Sequence, residues 1–201
     1  MKGLTAVKTL QDIASIELGF QLRSQVVPVP DSRELLVQMK DVSLHNGVDW
    51  STCVSTKLPG KKMPQWLHTG DVLVVARGFN FFAVHVHAIP DGFQAAAAPA
   101  FFVLRPEGKV VLPEYLSWWL NQSPTQRYFE KAAEGSTIKS LKRSALENTP
   151  IIIPPLEQQQ RIVALVHLWQ KENRLLEQLR QNSQQLQTAL VHQLLQSHPN
   201  T

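Results

Sequence analysis

Two histidines two residues apart are the side chains best suited to hold a metal ion. His85 and His87 fall on one face of a predicted strand, because side chains alternate along an extended backbone. A zinc site needs at least one further ligand, and none is evident near them in the sequence. Cys53, the single cysteine, has no histidine that can be placed beside it to activate a thiolate. We therefore expect surface or core histidines, no metal, and no cysteine nucleophile.

Motifs that bind nucleotides or methyl donors are missing from the sequence. The nine glycines are scattered, and no two have the spacing of a phosphate-binding loop. The run Asn148-Thr149-Pro150 lacks the second proline and the aromatic residue of an amino-methyltransferase motif. A stand-alone nuclease or methyltransferase would need a carboxylate cluster or a methyl-donor motif. We therefore expect a protein that is not an enzyme and has no cofactor.

Basic and hydroxyl side chains in predicted turns suit contacts with phosphate. Two lysines lie between Pro59 and Pro64, an arginine ends a buried strand before Gly78, and three cations follow Gly135. Each alone fits an ordinary solvated loop, and Arg77 also fits a buried ion pair at the strand end. In a chain with only 18% charged residues, the group together favours DNA contacts. The predicted contact residues are Lys61, Lys62, Arg77, Ser136, Thr137, Lys139, Lys142 and Arg143.

In the first half of the chain, short strands separated by turns are predicted, and they must position the candidate residues found there. The clearest is the apolar run Val72–Ala76, which is typical of a buried strand. Asn46-Gly47 marks a turn. Further strands are predicted over 33–39, 81–89, 95–104 and 150–153. The segment 4–17 is predicted as a strand followed by a helical turn, in which Leu10, Ile13, Ala14 and Ile16 face the core. The predicted fold class is mixed α/β (α+β), with a mixed or antiparallel sheet.

Apart from that helical turn, helices are predicted only after residue 112. Pro113 opens one that continues to Leu120. A second begins with Ser123 as its cap and Gln126 in the position of a capping box, and is expected to end at Gly135. A short helical turn is expected around residues 145–146.

The stretch from Leu156 to Gln196 contains no proline and no glycine, and predicts one long helix. Its 41 residues would span about 60 Å. Apolar residues recur close to a heptad, which leaves a seam that needs another helix to cover it. The predicted seam residues are Ile162, Leu165, Trp169, Leu176, Leu179, Leu186 and Leu190. We favour a coiled coil with a second chain over a helix packed on its own domain.

The overall composition is compatible with one substantial domain and an arm. The 201 residues are 43% hydrophobic, with a formal net charge of +4, which supports nucleic-acid binding only weakly. One cysteine excludes an internal disulfide and, without a signal-peptide run, indicates the cytoplasm. No apolar stretch approaches 18 residues, so no membrane contact is expected. We expect residues 1–153 to form the globular domain and 154–201 the arm.

Six segments, in order and across residues 10–196, resemble one known family. They are LQDIASIELGF (10–20), QMKDV (38–42), GDVLVVARG (70–78), LPEYLSWWL (112–120), GSTI (135–138) and PIIIPPLEQ (150–158). The chain resembles the specificity subunits of type I restriction–modification systems, which begin each half with such a target recognition domain. The usual subunit carries two recognition domains and two helical regions. This chain shows one of each and so resembles a half-subunit.

The resemblance implies a non-catalytic, sequence-specific reader of double-stranded DNA. Modification subunits would bring S-adenosylmethionine and methylate adenine, and restriction subunits would translocate and cleave. The long helix would act as a spacer, and we expect it to pair two identical chains in a homodimer. The rival interpretations are a regulatory or anti-restriction decoy that competes for methyltransferase subunits, and a coiled-coil adaptor without DNA binding.

Overall fold

The computed structural model of the protein describes residues 6–22, 25–58, 64–78, 80–135 and 138–196. Within them the chain forms eleven strands and four α-helices. The strands are β1 (Ala6–Thr9), β2 (Ala14–Leu18), β3 (Glu34–Val37), β4 (Val42–Ser43), β5 (Gly47–Val48), β6 (Val54–Ser55), β7 (Val72–Val75), β8 (Ala83–His85), β9 (Gln94–Ala97), β10 (Phe101–Pro106) and β11 (Pro150–Ile153). The helices are α1 (Pro113–Leu120), α2 (Ser123–Ala132), α3 (Arg143–Glu147) and α4 (Leu156–Gln196).

A four-stranded antiparallel sheet in the order β2-β10-β7-β8 is the centre of the globular part. Its two middle strands are buried on both faces. Val72 and Val74 face one core with the three short helices, while Leu73 and Val75 face a second core. This explains the unbroken apolar run in the sequence, since a strand covered on both sides has no polar face.

The second core lies against a smaller mixed sheet in the order β6-β3-β9, in which β3 and β9 are parallel. Two further pairs, β1 with β11 and β4 with β5, are antiparallel. The predicted fold class, mixed α+β with a long C-terminal helix, is confirmed. Leu10, Ile13, Ala14 and Ile16 are buried as expected.

Five local predictions were wrong. The expected strand over 95–104 is two strands, because the chain turns at Pro99-Ala100 and β9 and β10 enter different sheets. Ser123 is the first residue of α2 rather than its cap, and the cap residue is Gln122. Gln126 does not complete a capping box, since its Nε2 donates to the Phe81 and Leu120 carbonyls at 2.6 and 2.7 Å. Helix α2 ends at Ala132, earlier than expected. The segment Ala14–Leu18 is a strand, whereas a helical turn was expected there.

Helix α4 begins in the globular part. The chain divides into two compact units, of which the first ends at Val163 and the second begins at Ala164. In the first unit the side chain of Gln159 is fully buried and makes three hydrogen bonds. Its Nε2 donates to the carbonyls of Val110 (3.1 Å) and Pro154 (2.8 Å), and its Oε1 accepts from the Leu112 amide (2.8 Å). The first two turns of the helix are therefore fixed to the domain core.

Among the described residues, no helix combines the length and the apolar character needed to cross a bilayer.

Candidate nucleic-acid interface

Two segments far apart in the sequence meet at the end of β7. The amide of Gly78 donates to the Lys139 carbonyl at 3.0 Å, and the amide of Leu141 donates to the Ala76 carbonyl at 2.9 Å. Residue 77 pairs with residue 140 in an isolated antiparallel bridge. These bonds place Arg77 beside the segment that carries the three later cations. We call Arg77, Lys139, Lys142 and Arg143 the basic cluster.

A closed loop positions the later cations. Glu134 and Ser140 exchange two backbone hydrogen bonds, of 3.0 and 2.8 Å, which close the loop between them. Gly135 follows with φ of +120°, and a Cβ on it would overlap the Ile138 carbonyl. Only glycine accepts this backbone without strain, so the loop depends on it. The predicted contacts Ser136 and Thr137 lie outside the described residues.

All four members of the basic cluster are exposed. Lys142 Nζ lies 2.7 Å from Glu134 Oε1, and Arg143 Nε lies 2.7 Å from Glu147 Oε1. Exposed pairs of this kind contribute only about 0–1 kcal/mol, so either cation can exchange its carboxylate for a phosphate at little cost. No ion pair involves Arg77 or Lys139 within the described part of the chain, and the exposed Arg77 is not in a buried ion pair. Lys61 and Lys62 lie outside the described residues.

A buried carboxylate forms an ion pair with a half-exposed arginine elsewhere in the domain, and the sequence revealed neither residue. Asp71, 1% exposed, accepts from Arg105 Nε and Nη2 at 2.9 Å each. These bonds raise the pKa of Arg105, because the Asp71 carboxylate favours the charged guanidinium. Asp71 also accepts the amide of His68 at 2.8 Å. The pair joins the start of β7 to β10 and so supports the strand that leads to Arg77.

The structure brings a third possible metal ligand to the two histidines. Glu114, in the first turn of α1, places its Oε1 3.8 Å from His85 Nδ1. The ring centroids of His85 and His87 are 4.2 Å apart. Glu114 is 27 residues beyond His87, and no local spacing in the sequence indicated it.

Cys53 lies in an environment that suppresses thiolate formation. Burial raises its pKa to about 12, and the nearby carboxylates Asp41 and Asp49 act in the same direction.

The second unit presents the predicted seam to solvent. Leu165, Trp169, Leu176, Leu179, Leu186 and Leu190 are each about half exposed or more. Ile162, in the first unit, packs instead on the domain core. Leu168 and Leu175, at a neighbouring heptad position, are 60% and 51% exposed and widen the seam. A stripe of this extent is typical of a helix that pairs with another helix.

Comparisons with known proteins agree on one family. The family model described as "Type I restriction modification DNA specificity domain" matches residues 66–183, more than half of the chain. No curated protein matches significantly. One solved structure is described as the "structural basis underlying complex assembly and conformational transition of the type I R-M system". It is 18% identical to this chain, with a TM-score of 0.69, and the match covers 98% of this chain and 50% of that one.

Two further solved structures have the same fold. The specificity (S) subunit from M. genitalium is 13% identical with a TM-score of 0.57, over 96% of this chain and 46% of that one. The HsdS subunit from Thermoanaerobacter tengcongensis is 19% identical with a TM-score of 0.58, over 84% of this chain and 37% of that one. The chain spans about half the length, or less, of these solved structures.

The fold is therefore that of restriction–modification specificity subunits, with one recognition domain and one long helix. The chain belongs to the type I restriction modification DNA specificity domain family, which confirms the resemblance seen in the sequence. Subunits of this family select a DNA sequence and are not catalytic, so the chain is not itself an enzyme.

Proposed function

We propose that the chain reads one half of a split double-stranded DNA site through a surface that includes the basic cluster. The observation that supports this is the pairing of residue 77 with residue 140. It brings the exposed Arg77 beside the chain segment that carries the exposed Lys139, Lys142 and Arg143, in a domain whose family selects DNA. Cations set the register on phosphates, while arginine and glutamine side chains can read base edges. Lys61, Lys62, Ser136 and Thr137 belong to the same proposal.

Salt dependence tests this surface. Each lost phosphate contact reduces the slope of log K against log salt by about 0.9. The triple change Lys139→Gln, Lys142→Gln and Arg143→Gln should therefore weaken binding and flatten the slope by up to about three units. A matched control replaces three exposed cations of α4, Arg161, Lys171 and Arg180, with glutamine. If the two triple variants have the same slope as the wild type, the basic cluster does not contact DNA.

We propose further that the arm, residues 154–201, pairs with a second copy of the chain. Identical chains most often associate through a closed twofold axis. Two antiparallel arms would separate two identical recognition domains, so the pair would read an inverted repeat with an unread gap. The prediction is a homodimer on a gapped palindrome.

Charges in the seam test the pairing. Leu176→Asp with Leu179→Asp should give monomers with much weaker DNA binding, because paired helices would bury both side chains. Gln181→Asp with Gln184→Asp adds the same charge on the outer face and should stay dimeric. Light scattering distinguishes them. A wild-type monomer at tens of micromolar, or a non-palindromic target read without a second specificity chain, would contradict the proposal.

The proposed partners are the modification subunits, which supply S-adenosylmethionine and methylate adenine, and the restriction subunit, all in the cytoplasm. Co-purification with a modification subunit would support this role. The chain alone should neither bind S-adenosylmethionine nor methylate DNA. A decoy would bind modification subunits but show no sequence preference on DNA, and an adaptor would show neither salt-dependent nor sequence-dependent affinity.

A further inference from the structure

The cluster of His85, His87 and Glu114 offers two imidazoles and one carboxylate: His85 ends β8, His87 lies two residues beyond it, and Glu114 lies in the first turn of α1. One ligand atom from each residue can be chosen such that all three lie within 4.8 Å of one another. His85 is 9% exposed, His87 is exposed, and the Glu114 side chain is one-third exposed. The cluster is therefore anchored at its base and open to solvent on one side, which gives an ion a path of entry.

Helix α1 and strand β8 are held in fixed alignment by contacts beyond this cluster. The side chain of Asn121 accepts from the Ala83 amide at 2.9 Å and donates to the Ala83 carbonyl at 2.8 Å. Ser117 Oγ donates to the same carbonyl at 3.2 Å. These bonds fix the C-terminal end of α1 to β8. Glu114, in the first turn of the same helix, therefore faces the two histidines directly. Two of the three residues, His85 and Glu114, thus lie on regular elements, which position ligands more precisely than loops do.

We propose that His85, His87 and Glu114 bind one divalent transition-metal ion of the Zn²⁺ class, which ties the first turn of α1 to the end of β8. Imidazole nitrogen with one carboxylate oxygen suits zinc, whereas calcium and magnesium prefer oxygen ligands alone. Ligand atoms around tetrahedral zinc are about 3.4 Å apart, given bonds of about 2.0–2.2 Å. The 3.8 Å between His85 Nδ1 and Glu114 Oε1 is close to this spacing. Because the three ligand atoms already lie within 4.8 Å of one another, side-chain movements of about 1 Å would complete three bonds, with water in the fourth position.

The site is separate from the basic cluster. His85 pairs with Val72 at the start of β7, and Arg77 follows the end of the same strand. Five residues of extended chain span about 17 Å. The ion would therefore stabilise the domain without contacting the proposed DNA surface.

Calorimetric titration of the metal-free full chain with ZnCl₂ tests the proposal, and one ion per chain is expected. His87→Ala removes an exposed ligand, and Glu114→Gln removes the charge while keeping the shape, so neither variant depends on replacing the buried His85. Loss of an outer-sphere group weakens metal sites by about 10–100-fold, so loss of a ligand should weaken binding by at least about tenfold. His68→Ala, whose Nδ1 lies 4.0 Å from one Asp71 oxygen, is the matched control and should bind normally.

Thermal melting gives a second measurement. Zinc at about 100-fold above its dissociation constant should raise the melting temperature of the wild type by roughly 5–10 °C. It should raise that of His87→Ala by no more than about half as much, because the same zinc concentration is then at most about tenfold above the dissociation constant. Absence of stoichiometric binding, unchanged binding in both His87→Ala and Glu114→Gln, or an equal loss in His68→Ala would overturn the proposal.

Discussion

Replacing Gln159 with methionine should destabilise the protein by about 3 kcal/mol. Methionine matches glutamine in length and helix propensity, so the change removes the amide and little else. Three hydrogen bonds are lost, to Val110, Leu112 and Pro154, around a side chain that is 0% exposed. Each partner left unpaired costs about 1 kcal/mol or more when buried.

Urea unfolding followed by circular dichroism measures this cost. The midpoint should fall while the slope m stays constant, because the unfolded state exposes the same surface. The melting temperature should fall by roughly 6–12 °C. Gln160→Met, on the exposed side of the same helical turn, is the matched control and should change stability by no more than about 0.5 kcal/mol. If both variants lose the same free energy, or Gln159→Met loses less than about 1 kcal/mol, the hydrogen bonds do not hold the helix base as described.

Three further predictions concern the domain. Asp71→Asn should lower the free energy of unfolding, measured in urea, by about 2 kcal/mol, because Arg105 loses a charged, bidentate partner. An unchanged urea midpoint would show that this pair does not stabilise the fold. Gly135→Ala should lower the free energy of unfolding by about 1–3 kcal/mol, since it forces φ of +120° on alanine. Gly108→Ala, where an added Cβ meets open space, should be nearly neutral. Equal losses in the two variants would contradict the strain argument. Cys53, with a pKa of about 12, should react with iodoacetamide at pH 8 roughly 1000-fold more slowly than a free thiol, and urea should restore the rate. Fast labelling of the native protein would refute the burial of this thiol.

The elements that the sequence predicted correctly are those set by local pattern. Helix α4 begins at the predicted Leu156 and continues through Gln196, the last described residue, because nothing within it breaks a helix and prolines precede it. Helix α1 likewise begins at the proline that fits a first turn. The apolar run 72–76 supplies the most buried strand, since uninterrupted apolar residues leave no face for water. The family resemblance was also read from residue types and order alone, while the DNA-contact residues and the seam stay predictions.

Contacts between distant residues decided the rest. The bridge between residues 77 and 140, the pair Asp71–Arg105 and the approach of Glu114 to His85 join positions 63, 34 and 29 residues apart. No periodicity encodes such contacts, because each depends on how the strands are ordered in the sheets. The same reason explains the errors: β9 and β10 read as one apolar stretch, yet they separate because one joins β3 and the other joins β7. The burial of Gln159 was equally invisible, since its polarity predicts exposure until the carbonyls and amide that surround it are placed.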